Sequence, residues 1–265
     1  MEILGYFLAA LVGISLGLIG SGGSILMVPI LVYIFAYNPV LATSYSLFIV
    51  GSTSLVGAFN NYRKGLVSIK TALLFGVSSI TTVFITRHFI MPRIPVVLFN
   101  IGNIPVKHDL ATMVLFAVLM LLASFAMIRE GKKTTVAEIH TTSADTIKLL
   151  LFGILVGLTT GFLGAGGGFL IIPALVLILK IPMKKAIGTS LLIIALNSLI
   201  GFTGDLSHID INWKFLVVIS LIAVAGIFIG GALAKKIPAQ KLKKAFGWFV
   251  LVMGIYIIIK ELFFT

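Results

Sequence analysis

The stretch GLTTGFLGAGGGFLIIP, residues 157–173, decides the fold, because it places six glycines and a closing proline inside an otherwise unbroken apolar run. Each glycine inside a helix costs about 1 kcal/mol relative to alanine, so a helix with a cluster of glycines is broken at that point. The stretch GISLGLIGSGGSILMVP, residues 13–29, has the same pattern. The sequence therefore predicts two broken helices and raises the question of what the breaks do.

The composition indicates an all-α, polytopic helical membrane protein. Hydrophobic residues make up 59% of the 265 residues and charged residues only 11%. Several apolar runs approach the length of about 20 residues that a membrane-spanning helix needs. The formal net charge of +12 could indicate nucleic-acid binding, but the basic residues stand in short runs between apolar segments, as topology signals do. We therefore expect a lipid bilayer and no nucleic acid as a partner.

The chain has no cysteine, which excludes disulfides, thiolate metal sites and a cysteine nucleophile. Its four histidines, His88, His108, His140 and His208, lie near predicted loop ends without metal-ligand spacing. We expect no metal site and no cofactor.

Eight apolar segments divide into two halves. They cover roughly residues 3–36, 42–61, 68–86, 109–128, 149–179, 186–204, 213–234 and 245–264. A polar linker at 129–148 separates a first membrane repeat, residues 1–128, from a second, residues 149–265. The first segment is not expected to be a cleaved signal peptide, because Glu2 replaces a basic start and no A-x-A site follows.

A shift of 144 residues superimposes the two halves. The shift pairs Gly13 with Gly157, Gly17 with Gly161, Gly20 with Gly164, Gly22 with Gly166, Gly23 with Gly167, Pro29 with Pro173, Ser46 with Ser190, Ser54 with Ser198, and Gly57 with Gly201. Chance matching of apolar sequence would mostly pair Leu, Ile and Val. A duplicated unit of this kind is typical of transporters.

The positions of Lys and Arg distinguish parallel from inverted repeats. If every segment crosses the membrane once, the two sides receive 11 and 9 basic residues. If the first and fifth segments instead turn back at their glycine clusters, the sides receive 15 and 5, which obeys the positive-inside rule. We therefore expect two hairpins and six crossings in inverted repeats. The linker and residues 180–185 are then cytoplasmic, and both termini and residues 87–108 are extracytoplasmic.

The breaks predict an anion site. The short arms that follow them, roughly residues 24–35 and 169–179, would begin near the bilayer midplane with unpaired amide N–H groups and about half a positive charge. Two such helix ends meeting at a pseudo-twofold axis bind an anion without a charged side chain, and neutral polar side chains at mid-depth add further donors. The predicted substrate-binding residues are Ser21, Gly22, Gly23, Ser24, Thr53, Ser54, Ala165, Gly166, Gly167, Gly168, Asn197 and Ser198, with no catalytic residue.

Some of these glycines and serines could have a structural role instead of binding an anion. The small-residue pairs Gly13/Gly17, Gly157/Gly161 and Gly226/Gly230 fit close helix packing. Ser54 and Ser198 could each bond to the backbone carbonyl four residues earlier. The segments GSGGS and GAGGG look like nucleotide-binding loops, but no Lys-Ser/Thr follows and no strand precedes them.

The doubled segments GISLGLIGSGGSILMVPIL (13–31) and GLTTGFLGAGGGFLIIPAL (157–175), each opening one half, resemble the TauE/SafE family of membrane transporters. That family is associated with export of sulfite, sulfonates and related organosulfur anions. The resemblance implies a transporter of small sulfur-containing anions in the cytoplasmic membrane. Ser24 stands where the second copy has Gly168, so the two breaks are not chemically equivalent.

The first hypothesis is an exporter of a small anion such as sulfite or a sulfonate. One alternative is a coupled importer of a small carboxylate or sulfur oxyanion, which would use Asp205, Asp210 or His208 near one membrane face. A membrane-embedded enzyme is a further alternative, but no nucleophile–base pair occurs at matching depth. A scaffold without transport would leave the paired breaks unexplained. The oligomeric state is open, with a homodimer among the options.

Overall fold

The computed structural model describes residues 2–20, 22–95, 97–101, 104–128, 143–164, 166–177, 179, 181–234 and 239–263. The first half contains α1 (Glu2–Ile19), a 3-10 segment (Gly22–Leu26), α2 (Met27–Tyr33), α3 (Pro39–Arg63), α4 (Ile69–Ile85) with a π-helical turn (Thr86–Ile90) and a 3-10 turn (Met91–Arg93), β1 (Val97–Ile101), β2 (Ile104–Lys107) and α5 (His108–Ile128). The second half contains α6 (Ser143–Leu163), α7 (Gly168–Leu177), α8 (Met183–Asp205), α9 (Trp213–Leu233) and α10 (Ala239–Phe263).

The fold is that of a polytopic helical membrane protein, as the composition predicts. Within the described ranges, five helical stretches are long and apolar enough to cross a membrane: Pro39–Arg63, Ile69–Arg93, His108–Phe125, Met183–Asp205 and Trp213–Leu233. Three further apolar helices are shorter, at Ile3–Ile19, Gly23–Tyr33 and Leu149–Leu163. The shorter helices include the arms on both sides of the first glycine break and the arm before the second.

Helices α3 and α8 form an antiparallel pair at the centre of the bundle. Gly51 on α3 packs against Leu199, and Gly188, near the start of α8, packs against Asn61, near the end of α3. Asn38 is the N-cap of helix α3, and its side chain accepts a hydrogen bond of 2.8 Å from the Leu41 N–H. The proline at the first helical position, Pro39, has no N–H to leave unpaired.

Small residues bring the flanking helices together. Gly13 and Gly17 on α1 lie against the backbone of α9, at Ala223 and Ile227. In the second half, Gly157 and Gly161 on α6 lie against α4 and its π turn. The glycine pairs predicted to pack helices do so. Under the 144-residue shift, α1 corresponds to α6 and α4 corresponds to α9. The pair α1–α9 in the structure therefore corresponds to the pair α6–α4, as expected for a duplicated unit.

The chain reverses direction at each glycine break. The Phe35 ring fills the space beside Gly5, and Gly23 lies against Val12 and Ser15, so α2 returns along α1. Gly167 likewise lies against Val156 and Thr160, so α7 returns along α6. Gly20 and Gly164 at the two reversals have φ angles of +86° and +65°, which favour glycine.

The two hairpins enter the bundle from opposite ends. One end, which we call the terminal end, holds the start of α1, residues 34–38, the π turn, the end of α8 and the end of α10. The Tyr33 hydroxyl, at the end of α2, donates a hydrogen bond of 2.7 Å to Glu261 and so connects α2 to the end of α10. The opposite end, which we call the linker end, holds the ends of α3 and α5 and the starts of α4, α6 and α8. Gly20 touches Ile187, near the start of α8, and Gly164 touches Thr43, near the start of α3.

A short antiparallel hairpin, β1–β2, joins α4 to α5 and was not expected from the sequence. Its residues include Val97, Ile101, Ile104 and Val106, which are β-branched and favour extended backbone. The hairpin replaces part of the predicted 87–108 loop. The first part of that loop, as far as Arg93, belongs to the helical continuation of α4, which does not stop at residue 86.

Candidate functional site

The predicted site residues fall on four elements, apart from Ser21 and Ala165, which lie outside the described residues. Gly22, Gly23 and Ser24 are in the 3-10 segment, and Gly166, Gly167 and Gly168 are at or just before the start of α7. Thr53 and Ser54 lie on α3, and Asn197 and Ser198 lie on α8. The 3-10 segment and α7 are in contact, so the elements that follow the two glycine breaks meet inside the bundle.

Five buried side-chain polar atoms on α3 and α8 have no hydrogen-bond partner among the described residues. One is Ser46 Oγ, and the other four are Thr53 Oγ1, Ser54 Oγ, Asn197 Nδ2 and Ser198 Oγ. The last four residues are fully buried and form two pairs separated by 144 positions. Since Gly51 faces Leu199 across the helix pair, these residues lie at the same level of the bundle.

The backbone-bonding alternative for the serines does not apply to Ser54 and Ser198. Their hydroxyls remain unpartnered, whereas the neighbouring Ser52 hydroxyl donates to the Phe48 carbonyl at 2.8 Å. Buried polar groups in proteins are nearly always hydrogen-bonded, so unpartnered hydroxyls call for a separate explanation. Ser52 therefore has a local role, while Ser54 and Ser198 are available to a ligand.

Asn197 is held in one orientation by α4. The Ser79 hydroxyl donates to Asn197 Oδ1 at 2.9 Å, which leaves the carboxamide N–H groups of Asn197 without a partner. Ser79 is fully buried and was not among the predicted site residues. The arrangement presents hydrogen-bond donors, which suit an anion rather than a cation.

The start of α7 lies between two unpartnered hydroxyls. Gly166 packs beside Ser198, and Gly167 packs beside Thr160, whose hydroxyl is buried and unpaired. Both glycines have positive φ, +69° and +64°. The first amide N–H groups of a helix lack intrahelical partners and carry partial positive charge, so this turn adds donors to those of Ser198 and Thr160.

The first glycine break differs from the second. Gly23 lies against Ser15, whose hydroxyl already donates to the Val12 carbonyl at 2.9 Å. Ser24, where the second half has Gly168, is buried and has a partner. The residue that matches Thr160 is Leu16, which has no polar group. The free donors beside the two breaks therefore lie mainly at the second one.

A buried ion pair at the terminal end was missed by the sequence analysis. Arg87, in the π turn, is 1% exposed, and its Nη1 lies 3.0 Å from Oδ2 of Asp205, the last residue of α8. The Ser44 hydroxyl bonds to both partners. Arg87 was assigned to a loop because the hydropathy of its neighbours falls after residue 86, a pattern that does not distinguish a loop from a buried π turn.

The other two residues considered for coupled import lie at the surface. His208 and Asp210 are exposed, whereas Asp205 is buried. Within the part of the chain that the structure describes, no three His, Asp or Glu side chains come close enough to hold a metal ion.

Comparison with known proteins identifies relatives along most of the chain. The family model described as "Sulfite exporter TauE/SafE" matches residues 6–257. A "Probable membrane transporter protein" of Xylella fastidiosa (strain Temecula1 / ATCC 700964) is 32% identical over 252 residues, which cover 94% of this chain and 91% of the relative. The "Probable membrane transporter protein YunE" of Bacillus subtilis (strain 168) is 27% identical, with 91% and 89% covered. No solved structure matches the chain.

Proposed function

We propose that this chain, which belongs to the TauE/SafE family of membrane transporters, carries a small oxyanion such as sulfite or a sulfonate across the cytoplasmic membrane. The observation that carries the proposal is the group of buried, unpartnered donors on α3 and α8, above all Asn197 Nδ2 and Ser198 Oγ, the second of which lies beside Gly166 at the start of α7. The family description supports the sulfur chemistry of the substrate, and the donors support its negative charge.

The donors fit an anion that is bound and then released. An unpaired buried donor costs about 1–3 kcal/mol, and an anion that accepts its hydrogen bond removes this cost. A sulfite or sulfonate group has several oxygen atoms that accept hydrogen bonds from different directions. The donors at this level are neutral. The anion therefore gains hydrogen bonds there without the strong attraction of a fixed positive charge, which would slow its release.

The backbone at the second glycine break contributes hydrogen-bond donors to the proposed anion site. The turn at Gly166 and Gly167 directs the chain into α7, whose first N–H groups and partial positive charge lie between the Ser198 and Thr160 hydroxyls. The positive φ values and tight neighbours also make these glycines necessary for the fold. Side-chain substitutions therefore probe the site more cleanly than glycine substitutions.

Export needs no coupling ion on energetic grounds. A monovalent anion that leaves a cell with a negative interior gains about 2.3 kcal/mol per 100 mV of membrane potential. The excess of basic residues in the predicted loops at the linker end supports a cytoplasmic position for that end. The direction proposed is from the linker end to the terminal end, with both termini outside the cell.

Coupled import is the second candidate and has one supporting observation, the buried carboxylate of Asp205. That carboxylate is paired with Arg87 and accepts from Ser44, so a proton or cation would have to displace two partners. We rank import below export for this reason. We assign no chemical step to the protein, because the site offers donors but no nucleophile with an adjacent base.

Binding to the purified protein tests the proposal. Titration calorimetry in detergent with sulfite, methanesulfonate, taurine, acetate and chloride should give saturable binding of at least one sulfur oxyanion, and the Asn197→Ala variant should bind it more weakly. Ser52→Ala is the matched control, since that hydroxyl lies on α3 but is bonded to the backbone. Equal binding by wild type and Asn197→Ala would place the anion elsewhere.

A further inference from the structure

The guanidinium of Arg87 is buried but only partly bonded. Nη1 donates to Asp205 Oδ2 at 3.0 Å and to Ser44 Oγ at 3.2 Å, while Nε and Nη2 have no partner within the described part of the chain. Buried charged donors are almost always fully bonded, because leaving them unpaired costs more than leaving neutral groups unpaired.

The two free nitrogens form one intact edge of the guanidinium. The N–H bonds of Nε and Nη2 point in the same direction, and this edge binds two oxygen atoms of a carboxylate, phosphate or similar oxyanion through parallel hydrogen bonds. Asp205 and Ser44 occupy only Nη1. The edge suited to two-point binding of an oxyanion therefore has no hydrogen-bond partner among the described residues.

The position of Arg87 connects it to the candidate site. Gly204 on α8 packs against Arg87, and Thr43, the neighbour of Ser44, packs against Gly164 at the tip of the second hairpin. Asp205 lies eight residues beyond Asn197 on α8, a rise of about 12 Å. A path for the anion along α8 would therefore run from the donors at Asn197 and Ser198 to the free edge of Arg87 at the terminal end.

The first half and the second half differ at this point. Under the 144-residue shift, Arg87 matches Gly231, Asp205 matches Asn61 and Ser44 matches Gly188. Asn61 donates to the carbonyl of Gly57 at 2.8 Å, and no charged residue takes part. The charged group therefore occurs at the terminal end and is replaced by neutral residues at the matching positions of the linker end.

We infer that Arg87 is a second binding station for the transported oxyanion, at the terminal end of the path, and that Asp205 and Ser44 hold it in place when no anion is bound. The inference rests on the proposed anion transport and adds a residue to it. The anion takes two hydrogen bonds from Nε and Nη2, while the repulsion between its charge and Asp205 promotes its release. The pair gives the two ends of the path different anion affinities.

Four variants test this station by sulfite titration calorimetry in detergent and by sulfite flux in proteoliposomes. Asp205→Asn removes the competing charge and should tighten sulfite binding at least severalfold. The double variant Arg87→Gln/Asp205→Asn keeps the buried site neutral, which guards against misfolding, and should bind about tenfold more weakly than Asp205→Asn. Arg87→Lys/Asp205→Asn supplies charge without the two-point edge and should recover only part of the loss. Arg93→Gln, at an exposed arginine three residues past the π turn, should match wild type.

The outcomes separate the station from the proposed function. If wild type binds and transports sulfite, and Asn197→Ala weakens it, but the folded double variant binds as tightly as Asp205→Asn, then Arg87 is only structural and this inference is overturned. If wild type neither binds nor transports any anion tested, the proposed function is wrong and the inference falls with it.

Discussion

Ser79 on α4 donates a hydrogen bond of 2.9 Å to Oδ1 of Asn197 on α8, and by doing so it leaves the N–H groups of that carboxamide free. With this bond in place, Asn197 offers donors rather than an acceptor to the interior of the bundle, and the Ser79 hydroxyl also lies 3.3 Å from the Gly76 carbonyl. Both residues are fully buried, so no solvent competes for the bond.

We expect Ser79→Ala to weaken sulfite binding by about 3–10-fold, because the carboxamide loses the bond that orients it and its own donors are then less well placed. Ser78→Ala is the control, since the Ser78 hydroxyl bonds only to the Phe75 carbonyl on its own helix. Isothermal titration measures both. Equal weakening by the two variants would show that α4 packing, rather than carboxamide orientation, sets the affinity.

Substitution of the donors themselves should have a larger effect. Asn197→Ala and Ser198→Ala each remove a donor to a charged ligand and should cost roughly 1–3 kcal/mol of binding free energy. Ser198→Ala should lower the melting temperature little, because the Ser198 hydroxyl has no partner among the described residues, whereas Asn197→Ala also removes the acceptor of the Ser79 hydroxyl and should cost about 1–3 kcal/mol of stability. A variant that lost stability but retained full affinity would assign its side chain to the core.

The glycines of the second break should tolerate no side chain, for reasons of folding. Gly167 has a φ of +64°, and a Cβ there would collide with Thr160 and Val156. Gly167→Ala should therefore lower the free energy of unfolding by more than the roughly 1–2 kcal/mol expected from backbone strain alone. Gly65→Ala isolates that strain, because Gly65 has a φ of +69° with open space beside it. Equal effects on thermal unfolding would argue against close packing at Gly167.

The orientation of the chain can be measured with single cysteines, since the natural chain has none. We expect Lys64→Cys and Lys184→Cys to react with a membrane-impermeant maleimide only from the cytoplasmic side, and Asp210→Cys only from outside. The reversals at Gly20 and Gly164 place Lys64 and Lys184 at one end of the bundle. Labelling of Lys64 and Asp210 from one side, with Lys184 on the other, would restore eight plain crossings.

Much of the architecture follows from the sequence, because it depends on strong local signals. Long apolar runs predicted the helices, and the glycine clusters predicted where the chain turns back. Asn197 and Ser198 could be selected because polar residues are rare in such runs. The inverted repeat remains a prediction. The chain reversals at the two glycine breaks and the matching helix pairs are the arrangement that such a repeat would produce.

The remaining site residues depend on contacts between distant segments. Ser79 and Thr160 look like ordinary small polar residues of membrane helices until their neighbours are known. Arg87 follows the apolar run of α4 and looks like the first residue of a loop, but a π turn carries it back into the bundle, where Asp205 partners it. Such partners cannot be inferred from hydropathy.

The most direct test of anion transport through these donors is sulfite efflux from proteoliposomes with an imposed potassium diffusion potential, negative inside. We predict that wild type releases unaltered sulfite at a rate that saturates with concentration and rises with the potential. An Asn197→Ala/Ser198→Ala double variant, folded and reconstituted to the same density, should be at least tenfold slower at low sulfite concentration. Efflux by the double variant at the wild-type rate, or retention of sulfite by wild type, would contradict the account.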